Sequence, residues 1–456
     1  MRRTAVINVV GLTRPLLARM PRLREFAAAQ EVCSIRPAFP AVTCTAQSTY
    51  VTGQSPSAHG IVGNGWYDRD LAEIQFWKQS NHLVRGPKLW DELRATMPGF
   101  TCAKLFWWYN MYSSADYSIT PRPMYPADGR KVFDVYTAPF SIRTEIKKDL
   151  GEFPFRSFWG PGAGIDSSRW IAESAKWIEN RYQPTLSLSY IPHLDYNLQR
   201  RGSSGPGIQT DLDQLDALLA ELIAFLQERD LQIAMLSEYG ITDVDQPVHL
   251  NRTFREQGWL AIKDELGLEM LDAGASKVFA VADHQVAHIY VADPAMIPQV
   301  AAVLRAQPGV ETVLDQTAQA EFGIDHARSG DLVAVADARS WFTYYYWLDD
   351  RVAPDFARAV DIHRKAGYDP AELFIDPAIK LPAARIATFL VKKKLGLRGL
   401  LNVIPLDATL VKGSHGRIPE STDDWPVLIA PVRGVARPAN IAATDVYSLL
   451  RELCLS

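Results

Sequence analysis

Short apolar runs separated by amphipathic helical segments constrain the fold of this chain more than any other feature. Four runs, each followed by a polar or glycine-bearing loop, span residues 4–11, 185–191, 231–237 and 425–431. Uninterrupted apolar strands of this length are typical of a parallel sheet that is buried on both faces. Leucines at three- and four-residue spacing predict a helix over 211–230. The alternation predicts an α/β fold, a mostly parallel central sheet flanked by helices, with its site at the carboxyl ends of the strands.

A second pattern interrupts this alternation between residues 277 and 336. There a strand, a helix and two further strands follow each other closely, which predicts a small α+β unit inserted into the main sheet. A chain of 456 residues is also long for one simple core. We therefore predict a core formed by residues 1–270 and 350–456, and an inserted cap subdomain formed by residues 271–349.

The composition limits which kinds of partner and which cellular compartment are expected for this chain. The net charge of −4 excludes a surface built to coat nucleic acid, so no nucleic-acid partner is expected. Four scattered cysteines favour a reducing compartment. No run reaches the ~18 apolar residues that span a bilayer, and the first apolar run is interpreted as a buried strand and not as a signal peptide. The expected location is the cytoplasm, with no transmembrane segment.

One basic segment, residues 385–401, contains no acidic residue. Two interpretations remain open for it. It is either a helix whose charged face is solvated, or a helix that makes peripheral contact with a membrane surface or another anionic partner.

The strongest candidate for chemistry is Thr43, in the segment 37–64. Its hydroxyl precedes a helix-like run, and a loop rich in Gly, Ser, Pro and Asn follows. A threonine hydroxyl is too weakly acidic to attack at neutral pH unless a base or a cation activates it. Amide groups at the start of a helix bind anions, so this arrangement predicts work on phosphate esters. A plain helix cap would also explain Thr43, although not the motifs that follow.

The segment 37–64 resembles the nucleophile segment of nucleotide pyrophosphatases/phosphodiesterases in the alkaline phosphatase superfamily. It has the aromatic-Pro pair, two residues, the threonine, and then Thr-Gly and His-Gly-Ile-x-x-Asn. The likeness continues in order at residues 237–240, 326–337 and 413–416, and within the family it is greatest to the EboF-like branch. The resemblance implies an alkaline-phosphatase-like core, a nucleophilic Thr43 and divalent metal ions, usually zinc.

The same resemblance implies a metal-ligand set that this chain keeps only in part. Asp195, Glu238 and His415 fall at ligand positions of the family. Other ligand positions, and a phosphate-binding asparagine, are replaced by Val10, Gln199, Tyr239 and Ala46. His193 and His363 are candidates to complete the set, since on an extended strand end His193 would point to the same side as Asp195. The expected cofactor is a divalent metal, zinc, as one ion or two.

Three further residues are predicted to bind the substrate. Asn64 and Tyr67 are expected to shape a turn beside the pocket, and Arg122 is expected to contact phosphate. The predicted function is metal-dependent hydrolysis of a small phosphate ester through a Thr43 phospho-enzyme. The ester is a phosphodiester, pyrophosphate or phosphomonoester, with a nucleotide or a lipid-like leaving group. The alternatives are a repurposed binding protein on the same fold and a one-metal phosphoryl transferase.

Overall fold

The computed structural model describes residues 2–397, 399–432 and 437–455. Its strands, in chain order, are β1 (Thr4–Val9), β2 (Glu31–Arg36), β3 (Gly65–Asp68), β4 (Glu73–Phe76), β5 (Cys102–Leu105), β6 (Tyr117–Pro121), β7 (Val135–Ala138), β8 (Leu186–Ile191), β9 (Gln232–Leu236), β10 (Thr242–Asp243), β11 (Gln246–Val248), β12 (Ile262–Glu265), β13 (Leu268–Leu271), β14 (Val278–Asp283), β15 (Val286–Val291), β16 (Val310–Leu314), β17 (Leu332–Ala336), β18 (Ser340–Phe342), β19 (Gly413–Ser414), β20 (Val427–Ala430) and β21 (Asn440–Ala442).

The α-helices, in the same order, are α1 (Arg14–Ala18), α2 (Pro21–Ala28), α3 (Thr43–Thr52), α4 (Pro56–His59), α5 (Leu89–Thr96), α6 (Ser141–Leu150), α7 (Ile165–Tyr182), α8 (His193–Arg201), α9 (Ile208–Gln227), α10 (Leu250–Glu256), α11 (Ile297–Ala306), α12 (Gln316–Glu321), α13 (Pro382–Lys394) and α14 (Asp445–Leu455). Within the described ranges, no helix combines the length and the apolar character that crossing a bilayer requires.

A nine-stranded sheet forms the centre of the molecule, in the order β21-β2-β20-β9-β1-β8-β5-β6-β7. Strand β1 is completely buried and pairs in parallel with β8 on one side and β9 on the other. The leucine-rich helix α9 packs on α7 and α8 and covers one face. The predicted fold class, a mostly parallel α/β sheet flanked by helices, is therefore confirmed. The carboxyl ends of β1, β8 and β9 meet at one edge.

The run 425–431 differs from its prediction in direction. It forms β20, which is antiparallel to both of its neighbours, β2 and β9. The reason lies in where the chain enters the sheet. The Val427 amide donates to the Leu12 carbonyl, and the Val427 carbonyl accepts from the Ser237 amide. The chain therefore enters β20 from the edge at which β1 and β9 end, and must run in the opposite direction.

A separate antiparallel sheet occupies residues 278–336, in the order β14-β15-β17-β16, with α11 packed on β16. A second hydrophobic cluster lies beneath it and includes the aromatic run from Trp341 to Trp347. The hairpin between β14 and β15 carries Asp283 and His284 toward the main sheet's carboxyl edge, where Gln285 donates its amide to the His415 carbonyl. The exact limits of a cap subdomain at 271 and 349 stay a prediction.

Candidate functional site

Thr43 begins α3 and lies at the carboxyl edge of the central sheet. Val42 before it is extended, with φ −133° and ψ 157°, and every residue of α3 is buried. The Ala41 amide donates to the Gly416 carbonyl at 2.8 Å, which fixes the entry into the helix. The Thr43 hydroxyl oxygen lies 3.0 Å from the Tyr239 hydroxyl oxygen. The hydroxyl of the predicted nucleophile therefore faces the segment that follows β9.

A chain of hydrogen bonds continues from Thr43 to a buried carboxyl group. The Tyr239 hydroxyl donates to Asp195 Oδ1 at 3.4 Å, so Thr43 is the donor to Tyr239. Gln199 Nε2 donates to Asp195 Oδ2 at 2.9 Å, and the Tyr368 hydroxyl donates to Gln199 Oε1 at 2.8 Å. Burial raises the pKa of Asp195 to about 7, while the hydrogen bonds from Gln199 and Tyr239 oppose the rise. A carboxyl group with such a pKa accepts and releases a proton near neutral pH.

Four rings stack beside this chain and close the site. The Tyr239 ring lies 3.6 Å from the His415 ring, His415 lies 3.7 Å from His284, and His284 lies 3.6 Å from Tyr368, measured between centroids. His415 Nδ1 donates to the Ala41 carbonyl at 2.7 Å, and its Nε2 is buried with no hydrogen-bond partner among the described residues. Burial lowers the pKa of both histidines well below the usual range, so both rings are neutral.

Glu238 is buried under the site and engaged by amide groups. Asn8 Nδ2 and Gln47 Nε2 both donate to its Oε1, and Gln47 Oε1 accepts from the Trp108 amide at 2.7 Å. Burial raises the pKa of Glu238 to about 8, and the hydrogen bonds from Gln47 and Asn8 oppose the rise. Burial therefore favours the neutral form of the Glu238 carboxyl group.

The predicted substrate-binding residues have other contacts. Asn64 holds the start of α3, because its Oδ1 accepts from the Cys44 amide at 3.0 Å while its Nδ2 donates to Asp283 Oδ1 at 3.0 Å. The Tyr67 ring packs in the second cluster, against the residues of β14 and β15. Arg122 is exposed at the end of β6, near the sheet's other margin. Their role in substrate binding stays a prediction.

His193 corrects one step of the sequence analysis. Residues 193–201 form the helix α8 and not a strand end, so His193 and Asp195 point in different directions around the helix axis. His193 Nε2 lies 3.5 Å from Asp211 Oδ1 on α9. His363 is exposed, and partial desolvation together with the neighbouring charge of Lys131 lowers its pKa. In the residues that the structure describes, no three His, Cys, Asp or Glu side chains are placed to share a metal ion.

Four residues of the site were not predicted from the sequence. They are Asn8, Gln47, His284 and Tyr368. Asn8 had a usable signal, because a polar residue inside an otherwise apolar buried strand needs a partner. His284 had a weak signal, because it forms a pair with His288 four residues later, whereas Tyr368 had none, since only the loop before residue 368 brings it to the site.

Comparisons with known proteins agree with this fold and this motif. The family model for type I phosphodiesterase / nucleotide pyrophosphatase matches residues 4–369. An uncharacterized pyrophosphatase/phosphodiesterase of Schizosaccharomyces pombe is 25% identical over 216 residues, which cover 45% of this chain and 37% of that protein. Ectonucleotide pyrophosphatase/phosphodiesterase 1 of Saccharomyces cerevisiae is 26% identical over 227 residues, covering 46% and 29%. The chain thus spans about a third of the length of these curated relatives.

Solved structures show the same fold at low identity. Murine ectonucleotide pyrophosphatase/phosphodiesterase 5, as an inactive variant in complex with AMP, has a TM-score of 0.59 and 15% identity, with 100% of this chain and 95% of that chain covered. Phosphonoacetate hydrolase from Sinorhizobium meliloti, in complex with phosphonoformate, has a TM-score of 0.60 and 13% identity, with 99% and 96% covered.

Proposed function

Because the chain belongs to the type I phosphodiesterase / nucleotide pyrophosphatase family, we propose that it hydrolyses phosphate esters with Thr43 as the nucleophile. One observation carries the proposal. Thr43 stands at the first position of α3 and is linked through the Tyr239 hydroxyl to the Asp195 carboxyl group. A hydroxyl at a helix N-terminus with a route for its proton is what attack on phosphorus requires.

The proposed step moves one proton along the hydrogen-bonded chain. The Thr43 oxygen attacks phosphorus, the bond from phosphorus to the leaving oxygen breaks, and an aryl or nucleoside product departs with the bonding electrons and takes a proton from solvent. The Thr43 proton passes to Tyr239, whose own proton passes to Asp195. Water then attacks the phospho-threonine, and the bond from phosphorus to the Thr43 oxygen breaks. Thr43 recovers its proton from Tyr239, Tyr239 recovers its own from Asp195, and the proton that the attacking water loses is released to solvent. The helix dipole of α3 favours the anionic phosphoryl group throughout.

The divalent cations that the family implies do not fit the donor atoms found here. Val10 offers no ligand atom, and Gln199 and Tyr239 replace imidazoles with groups that hydrogen-bond to Asp195. Asn8 and Gln47 donate to Glu238 Oε1, so that among the described residues only Glu238 Oε2 and His415 Nε2 of the family positions are left without a hydrogen-bond partner. A two-zinc phosphate site needs about seven anionic or imidazole ligands, whereas both oxygens of Asp195 are already accepting hydrogen bonds. We therefore derive no step through a metal ion.

The first test compares two threonines of the same helix. Thr43→Ala removes the proposed nucleophile, while Thr52→Ala is the control, since the Thr52 hydroxyl donates only to the Ser48 carbonyl at 2.7 Å. The T43A variant is expected to lose hydrolysis of an aryl phosphodiester, and T52A is expected to keep it. Equal rates for T43A and wild type would refute the role of Thr43.

A second candidate, binding of a phosphate ester without turnover, is favoured by the burial of the site. Thr43 is only 3% exposed and Asp195 only 7% exposed. A phosphorus atom reaches Thr43 only if the covering residues move. Calorimetry with AMP as the probe separates the two candidates. A saturable heat of binding with no turnover in wild type would support binding alone, and turnover would support hydrolysis.

A further inference from the structure

An exposed apolar and basic surface lies at the end of α13, in the part of the chain between Tyr368 and His415. We define the tip as residues 390–397, 399 and 400, at the end of α13 and in the loop after it. No residue of α13 is buried. Five large apolar side chains of the tip are between 37% and 71% exposed: Leu390, Val391, Leu395, Leu397 and Leu400. Such a concentration of exposed leucines marks an interaction surface.

The tip is held in place from one side. Ile386, earlier in α13, and Leu401, after the tip, pack against a small cluster that includes Val403 and Ile404. The helix then closes at Gly396, whose φ is +77°. The Gly396 amide donates to the Lys393 carbonyl at 3.1 Å, and the Leu397 amide donates to the Lys392 carbonyl at 3.0 Å. This closure satisfies the last carbonyl groups and leaves Leu395 and Leu397 outside the packed core.

The charge around the tip has a single sign. Residues 377–406 contain no Asp or Glu, although the whole chain has a net charge of −4. Its basic residues are Lys380, Arg385, Lys392, Lys393, Lys394 and Arg398. Three of them, Lys392 to Lys394, are exposed and lie between the leucines of the tip. The partner that complements this surface is anionic and also accepts apolar side chains.

We propose that the tip docks on the surface of an anionic lipid bilayer. Leucines enter the boundary between headgroups and acyl chains, while lysines bind the headgroup phosphates and carboxylates. Nucleic acid would match the charge and not the leucines, and a purely apolar protein groove would match the leucines and not the charge. The surface lies outside the Thr43 site, so this docking is independent of the reaction proposed above.

Vesicle co-sedimentation tests the proposal. Wild-type protein is expected to bind vesicles of phosphatidylcholine mixed with phosphatidylserine, and to stay in solution with phosphatidylcholine alone. Replacing Lys392, Lys393 and Lys394 by Gln is expected to weaken binding roughly 100-fold. Leu395→Gln with Leu397→Gln is expected to weaken it by roughly tenfold or more. All of these side chains are exposed, so thermal melting is expected to match wild type.

Two matched controls make the same chemical changes elsewhere on the surface. Leu71→Gln with Leu266→Gln removes two exposed leucines. Gln at Lys148, Lys263 and Lys277 removes three exposed positive charges. Wild type that remains in solution with anionic vesicles, or controls that weaken binding as much as the tip variants, would overturn the proposal. A wild-type dimer that L395Q/L397Q converts to monomer, with vesicle binding unchanged, would also overturn it in favour of self-association.

Discussion

At the scale of single residues, removal of the Tyr239 hydroxyl tests the proposed chemistry while the packing of the ring stays the same. Tyr239→Phe keeps the ring stacked on His415 and removes the oxygen between Thr43 and Asp195. Loss of a proton acceptor of this kind is expected to lower kcat by about 100-fold or more. Steady-state rates with an aryl phosphodiester measure the change.

Tyr368→Phe is the matched control for Tyr239→Phe. The Tyr368 hydroxyl donates to Gln199 and lies outside the route from Thr43 to Asp195. Its removal costs about 1 kcal/mol of unfolding free energy, and the rate is expected to change by less than tenfold. Similar rate losses in the two variants would show that the network serves stability alone.

Buried histidines make the stability of the protein sensitive to acid. Burial lowers the pKa of His59 to about 3 and that of His249 to about 4. Below pH 6.5 the unfolded chain binds protons at these two residues and the folded chain does not, so the free energy of unfolding falls as the pH falls toward 4. Each histidine contributes a slope of about 1.4 kcal/mol per pH unit.

Urea denaturation at several pH values checks this slope. His59→Gln is expected to flatten the dependence between pH 6.5 and pH 4 relative to wild type. The comparison of slopes removes the contributions of other groups, because those are common to both proteins. An unchanged slope in H59Q would mean that His59 is protonated in the folded state.

The residues of the site differ in how much of their arrangement the sequence could predict. Thr43, Asp195 and His415 were identified by motif resemblance, and the structure places Thr43 and Asp195 in one hydrogen-bonded chain with His415 stacked beside it. The replacements Gln199 and Tyr239 were also visible in the sequence. Their hydrogen bonds to Asp195 were not visible in the sequence, because tertiary packing sets the distance between these segments.

At the scale of elements, the junction between the end of β9 and the start of β20 determines where Tyr239 lies. A Cβ atom on Gly240 would lie 1.9 Å from the Asp424 carbonyl oxygen and 2.9 Å from a Thr13 methyl group. Gly240→Ala is therefore expected to lower the free energy of unfolding by roughly 3 kcal/mol, since backbone must move to admit the methyl group.

Gly164→Ala is the control for that substitution. Gly164 has an extended backbone, and the nearest atom to its added Cβ would be 4.0 Å away. Its cost is expected to stay below about 1 kcal/mol. Chemical denaturation of both variants gives the comparison, and equal costs would contradict the close approach at Gly240.

The positions of strands and helices along the chain were predicted more reliably than the direction in which a strand runs in the sheet. The apolar runs at 4–11, 185–191 and 231–237 became the strands β1, β8 and β9, and the leucine spacing over 211–230 became α9, which begins and ends three residues earlier. The antiparallel direction of β20 was not predicted, because the composition of an apolar run does not indicate which way the strand runs in the sheet. The helix α8 was missed because residues 193–201 are mostly polar and their helical period is weak.

At the scale of the whole molecule, the chain keeps the family's sheet and nucleophile segment while its metal-ligand positions hold a different network. Rings and amides occupy the space around Thr43, and they donate hydrogen bonds to both oxygens of Asp195 and to one oxygen of Glu238. We therefore expect the protein to fold, and Thr43 to react, without a bound cation.

The most direct test is hydrolysis of an aryl phosphodiester by wild-type protein dialysed against EDTA, measured before and after zinc is added. We expect turnover in the dialysed protein, and we expect added zinc to leave the rate unchanged within about twofold, a difference of less than about 0.5 kcal/mol in the barrier. Turnover that disappears on dialysis and returns in proportion to bound zinc would contradict it.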